Sequence, residues 1–218
     1  NLINLIIKRN HLNAPFPVQY YYWVTNLIQG SWGYSPTLGE DVLPAIVRRT
    51  PATAELTIYS ILVFIPLGLV SGVVAGSRQN RLVDHNFRLT AFIATSLPPF
   101  ILALFLLAIF YVGLYWFAPG RTSLALGLEI NSDEFRQVTG LLTIDGLLNK
   151  RPDISLDALR HLVLPVFTLA IAHWATLGRV TRATMIEELK KEYVIAAKAR
   201  GIPGKRIVWR HTLRNAIA

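Results

Sequence analysis

Residues Leu56–Ser77 read LTIYSILVFIPLGLVSGVVAGS, an apolar run without one charged side chain. A helix needs about 20 mostly apolar residues to cross a hydrocarbon layer about 30 Å thick, and each charge at its centre costs about 2.5–3.5 kcal/mol. The run meets both conditions and predicts a transmembrane helix over about 51–77. Thr50, Pro51 and Glu55 mark its start as a capping hydroxyl, a first-turn proline and an acid near the positive helix end. Gly68, Gly72 and Gly76 recur at every fourth position with Ser71 beside them. One stripe of this helix therefore lacks bulk, and close helix packing is its expected use.

Outward from that run, Leu89–Gly120 is also uncharged and predicts a second helix over about 89–118. Tyr111, Tyr115, Trp116 and Phe117 gather near its far end, as in an interfacial aromatic belt. A third helix is predicted over about 156–185, built on the apolar Leu162–Gly178 and containing Pro165 and His173. Proline removes a backbone donor, which neighbours or cavity water must compensate at membrane depth. Ser96, Pro98, Pro99 and Pro165 therefore fit either a kinked translocation path or a static bundle. His173 fits either pathway lining or packing, because polar groups at this depth face protein or water.

Composition agrees with a membrane bundle: 52% of the 218 residues are hydrophobic and 16% charged. Cysteine is absent, which excludes disulfides, thiolate metal sites and a Cys nucleophile. The five His form no ligand cluster, so no metal site is expected. GxxxxGK[ST], HExxH and GxSxG are absent too, and nothing in the chain suggests catalysis.

The net charge of +9 is explained by position rather than by nucleic acid. Arg78, Arg81 and Arg88 stand against Asp84 alone between the first two helices, and ten Lys or Arg from Arg179 to Arg214 face only Glu187, Glu188 and Glu192. Both regions are assigned to the cytoplasm, where Lys and Arg are retained. The segment 119–158 mixes both signs and is read as an external loop. Residues 1–50 then form an external segment whose Tyr20, Tyr21, Tyr22, Trp23, Trp32 and Tyr34 suit interfacial anchoring or stacking on a ligand. An outside start at Asn1 without a visible signal peptide predicts a helix before it. A stop at Ala218 inside a helical pattern predicts more chain after it. The fold class is thus all-α integral membrane, a helix bundle lacking flanking helices at both ends.

The segment 186–218 carries the most specific pattern. Glu192-Tyr193-Val194-Ile195-Ala196-Ala197-Lys198-Ala199-Arg200-Gly201 predicts a helix, Gly201 and Pro203-Gly204 a break, and the residues through Arg210-His211-Thr212-Leu213-Arg214-Asn215-Ala216 a second amphipathic helix. Small Ala196, Ala197 and Gly201 admit close approach by a partner, with basic residues at the rim. A basic helix lying on anionic lipid is the simpler alternative. Binding of single-stranded nucleic acid is disfavoured, since Tyr193 and Trp209 are the only aromatics there.

At these residues the chain resembles the permease subunits of ABC importers, whose cytoplasmic loop carries Glu-Ala-Ala, three residues, then Gly. Ala196, Ala197 and Gly201 match, while Ile195 stands at the Glu position. Tyr193-Val194 and His211-Thr212-Leu213-Arg214-Asn215-Ala216 are similar to the dipeptide, oligopeptide and nickel branch. So are Pro17-Val18-Gln19-Tyr20, Arg49-Thr50-Pro51-Ala52-Thr53, Ile65-Pro66-Leu67-Gly68, Ser96-Leu97-Pro98 and Arg160-His161-Leu162. The resemblance leaves out about Arg121–Leu159. It implies a pore-forming permease with two cytoplasmic ATPase subunits, a second related permease and an external solute-binding protein. ATP and Mg would be bound by the ATPase partner and no cofactor by this chain. Tyr193, Ala196, Ala197, Lys198, Arg200, Gly201, His211, Arg214 and Asn215 are the implied ATPase-coupling residues. Di- or oligopeptides are the implied cargo, with nickel chelates or oligosaccharides as alternatives. A non-transporting membrane scaffold is the reading from another class.

Overall fold

Pro15 precedes the helix Phe16–Ile28 (α1), and Pro17 lies in its first turn, where a missing N–H costs no intrahelical bond. The computed structural model describes Ile7 and residues 13–217. Parts of the segments 1–50 and 186–218, namely residues 1–6, 8–12 and 218, lie outside the described residues. Two compact units divide the chain, Asn1–Thr53 and Ala54–Ala218.

In the first unit, α1 buries none of its residues, and Tyr20 stacks on Trp23 with ring centroids 6.1 Å apart. A short hairpin follows, Tyr34–Ser35 (β1) against Glu40–Asp41 (β2), antiparallel with Tyr34 opposite Asp41. Arg48 Nη2 donates to both Glu40 carboxylate oxygens at 2.6 and 2.7 Å, which ties the hairpin to the helix after it.

That helix is Val42–Ser77 (α2), and it contributes residues to both units. It begins well before the position marked by Thr50 and Pro51. Thr50 Oγ1 donates to the Ile46 carbonyl at 2.8 Å, one turn back, instead of capping a new helix. A Thr hydroxyl bonds backward inside a helix as readily as forward at its start, so the Thr-Pro pair is not decisive.

The second predicted helix is two helices. Leu82–Ser96 (α3) and Pro99–Leu106 (α4) meet at a bend of 93°, and α4 continues as a π-helical segment, Leu107–Gly113. Pro98 forces Leu97 into extended backbone, φ −101° and ψ 129°, and Pro99 starts the new helix. The start moves from Leu89 to Leu82 because α3 incorporates Asp84 and Arg88, whose charges had excluded them from the apolar run. At the far end the helix stops at Gly113, and Tyr115 takes a left-handed conformation with φ 57°.

The segment 119–158 is folded rather than a plain loop. It holds Leu124–Ile130 (α5) and Leu142–Leu148 (α6), and Ile130, Leu142, Ile154 and Ala158 form a hydrophobic cluster with Leu126 and Phe135 at its margin. Asp145, one of the acids in this stretch of mixed charge, is fully buried. Its carboxylate accepts from Thr139 N, Thr139 Oγ1 and Gly140 N, each at 2.8 Å, and so closes the turn before α6.

The third long helix, Pro152–Glu188 (α7), starts with proline in its first turn and carries Pro165 inside. Among the described residues, α2 and α7 are long and apolar enough to cross a membrane, and the bent pair α3–α4 makes a third span if taken together. Beyond α7 come Glu192–Ala199 (α8), Gly204–Arg206 (α9), a π-helical Ile207–Thr212 and Leu213–Ala216 (α10).

Candidate functional site at the basic end of the bundle

Helices α8 to α10 fold onto one another as a knob around Val194, Ala197 and Ile207, with Leu189, Tyr193 and Ile202 packed against them. Gly201 makes the turn with φ 74°, where an L side chain is strained, and no atom lies within 4 Å of a Cβ placed there. The two small residues of the motif have different surroundings. Ala196 is exposed, whereas Ala197 belongs to the knob's own core and is not available for close approach by a partner. The pitch explains this: one position of an adjacent pair faces in while the other faces out. Ile195, at 61% exposed, joins Ala196, Lys198, Ala199, Arg200 and Gly201 on the outer surface.

Tyr193, Arg210, His211, Arg214 and Asn215 line an open cleft of about 470 Å³. The end of α7 holds the knob. Glu188 pairs with Lys191 and accepts a hydrogen bond from Tyr193 Oη at 3.0 Å. The neighbouring carboxylate raises the Lys191 ammonium above its ordinary pKa.

The glycines of α2 face α7. A Cβ on Gly72 would lie 2.7 Å from the Gly178 carbonyl and 2.6 Å from Thr181 Cβ, and one on Gly76 2.8 Å from Met185 Cβ. One on Gly68 would meet only the Leu177 side chain, at 2.9 Å. Helix α3 seats on the same stretch of α7, with Phe87 over Gly178 and edge-on to Trp174 at 5.8 Å. Trp174 Nε1 donates to Ser71 Oγ at 2.9 Å, joining α2 to this seam.

Beneath it lies an ion pair that sequence reasoning passed over. Asp84 is fully buried, and its two carboxylate oxygens are gripped by Nε and Nη2 of Arg182, the latter at 2.8 Å. Asn80 N also donates to Asp84 at 3.0 Å, and Arg88 lies 4.0 Å away. In the sequence Asp84 and Arg182 entered only a tally of charge. The available signal was one acid among three arginines beside an apolar run, a place where an unpaired carboxylate is costly.

The remaining singled-out residues are dispersed. Ser96 Oγ donates to the Phe92 carbonyl at 2.8 Å beside the exposed Pro98 and Pro99. Pro165 is exposed on α7, and His173 lies tilted against Phe64 at 5.3 Å.

At the opposite end, Glu55 is buried inside α2 rather than near its start. Thr143 N and Oγ1 each donate to Glu55 Oε1 at 2.8 Å, and Arg121 Nη2 donates to Oε2 at 2.9 Å. Arg160 further fixes the chain after the π-helical segment through Nε and Nη2 to the Trp116 carbonyl, at 2.9 and 2.6 Å. Glu55→Ala strands the buried Thr143 N–H, a loss of about 1–3 kcal/mol. Limited trypsin digestion should then cut earlier at Arg136 and Lys150, with Glu55→Gln intermediate because one acceptor remains.

Long apolar helices, a broken span between them and a small knob joined to the longest helix make a bundle long and apolar enough to cross a membrane. Residues 41–218 match the model of the family described as "Binding-protein-dependent transport system inner membrane component", and the chain belongs to that family. This is the family to which the sequence resemblance pointed. The chain is 36% identical to the di/tripeptide transport system permease protein DppB of Pseudomonas aeruginosa over 212 residues, 97% of this chain and 61% of that one. It is 35% identical to the probable D,D-dipeptide transport system permease protein DdpB of Escherichia coli, over 99% of this chain and 62% of that one. With the oligopeptide transport system permease protein AppB of Bacillus subtilis the identity is 32%, over 97% and 60%. The chain thus spans about three fifths of the length of these relatives.

Proposed function

We propose that this chain is part of the pore-forming permease of an ATP-driven importer of di- or oligopeptides. The single observation that carries the coupling role is the knob, whose exposed Ala196, Ala199 and Gly201 lie on a fold clamped to the end of α7 by Glu188. Exposed small residues with Ile195 and basic Lys198 and Arg200 beside them suit insertion into a cleft of a cytoplasmic ATPase subunit. ATP and Mg belong to that partner. The basic end of the bundle is the cytoplasmic one, and the folded segment 119–158 faces outward toward a solute-binding protein. A second, related permease completes the path. Peptide cargo follows from the names of the three relatives, all of which are peptide permeases.

The test is Gly201→Val in the complete transporter in membrane vesicles. A β-branched residue is an outlier at φ 74°, so the turn must shift, although no neighbour crowds the added atoms. Peptide uptake should fall while ATP hydrolysis continues, and Gly201→Asn, which tolerates the left-handed region, should retain more uptake. Normal uptake by Gly201→Val counts against docking through this turn. A chain that recruits no ATPase would instead be a membrane scaffold.

A further inference from the structure

Resting on the permease reading above, we propose that Asp84 and Arg182 form the joint through which movement of the knob reaches the broken span α3–α4. Glu188, at the end of α7, holds the knob through Lys191 and Tyr193. Arg182 is six residues earlier on the same helix, a rise of about 9 Å, and grips Asp84 in the first turn of α3. Two guanidinium nitrogens on two carboxylate oxygens fix orientation as well as distance, which a single point contact does not. Phe87, one turn further along α3, rests on Gly178 and Trp174 of α7, so α3 follows α7 along one face.

Helix α3 then acts as a lever. From Asp84 to Ser96 is twelve residues, about 18 Å of helix. A hydrocarbon layer about 30 Å thick has its midplane about 15 Å in, so the break at Leu97-Pro98 falls near mid-membrane. Discontinuous helices at that depth leave backbone groups unpaired and are tolerated where they face protein or a water-filled cavity. A shift of α7 at its knob end carries the foot of α3 with it and displaces the break at the other end. Asp84 and Arg182 are positioning residues, and neither touches cargo.

The experiment uses the complete transporter, with both permeases, the ATPase subunits and the solute-binding protein, in proteoliposomes. Radiolabelled tri-alanine uptake and ATP hydrolysis are measured together for Asp84→Asn and Arg182→Lys. Uptake per ATP should fall at least about fivefold in both, the lower range of coupling between sites, while assembly stays at the wild-type level. A merely structural role would lower assembly and leave the ratio alone, so an unchanged ratio overturns the joint. Should Asp84→Asn fail to assemble, Arg182→Lys decides, because lysine keeps the charge and loses the two-point grip.

Wild type that ignores tri-alanine would sink the cargo reading, and the joint is then read by distance. The chain has no cysteine, so nitroxide labels at exposed Phe92→Cys on α3 and Leu147→Cys on α6 report without background. Vanadate trapping of the ATPase should shift that distance in wild type and not in Arg182→Lys. An equal shift in both, or none in wild type, overturns the proposal.

Discussion

Gly72→Leu is expected to abolish the folded protein, and Gly72→Ala to destabilise it by about 1–3 kcal/mol, the usual cost of overfilling a packed interface. The reason is what a side chain would meet. At Gly72 the nearest atoms include the Gly178 carbonyl, a backbone atom of α7 that moves only if the whole helix moves. Gly76 meets Met185 Cβ and the Arg182 carbonyl at 3.0 Å and should be nearly as intolerant. Gly68 meets Leu177 Cδ2 and Cγ, which another rotamer moves, and Leu177 Cβ only at 3.1 Å, so Gly68→Ala should cost least. The order Gly72, Gly76, Gly68 is read by the yield and melting temperature of detergent-solubilised protein in size-exclusion chromatography. Equal tolerance at all three positions would show that α2 and α7 do not pack as closely as described.

The glycine spacing was legible because it needs no partner: a stripe of missing side chains is a property of one helix. What faces it was not legible, since Leu177, Gly178, Thr181 and Met185 lie about a hundred residues further along. The same distinction explains the other outcomes. The apolar stretches of α2 and α7 follow from hydropathy alone, but their ends do not, because Thr50 and Pro51 are compatible with either the start or the middle of a helix. Pro98-Pro99 announced a disturbance, while its size, a 93° bend, depends on how α3 and α4 each pack. The acids misled most. Glu55 reads as a helix-end acid, and Asp84 and Asp145 as members of loop charge balances, yet all three are buried with their partners. A single-sequence reading assigns charges to water by default, because the compensating arginine or backbone N–H is invisible until the chain is folded.

The buried acids also divide the molecule's work. Glu55 and Asp145 stabilise the folded segment 119–158 and its hold on α2, far from the knob. Asp84 and Glu188 stand at the other end, where two consecutive clamps on α7 join it first to α3 and then to the knob.

Arg182→Ala is expected to be the most damaging single truncation at the basic end, costing about 3–5 kcal/mol, and more than Asp84→Ala. The asymmetry follows from burial. Asp84 is fully enclosed, whereas the Arg182 side chain keeps 19% of its surface exposed. Removing the arginine leaves a carboxylate with only Asn80 N at 3.0 Å and the distant Arg88 to offset its desolvation. Removal of the aspartate leaves a guanidinium whose long stem lets it turn toward water, so part of the loss is recovered. Replacing both at once should cost less than Arg182→Ala alone, since no buried charge is left without a partner. Melting temperatures of the two single variants and the double variant complete the cycle. Arg182→Ala no worse than Asp84→Ala would mean that water already reaches Asp84.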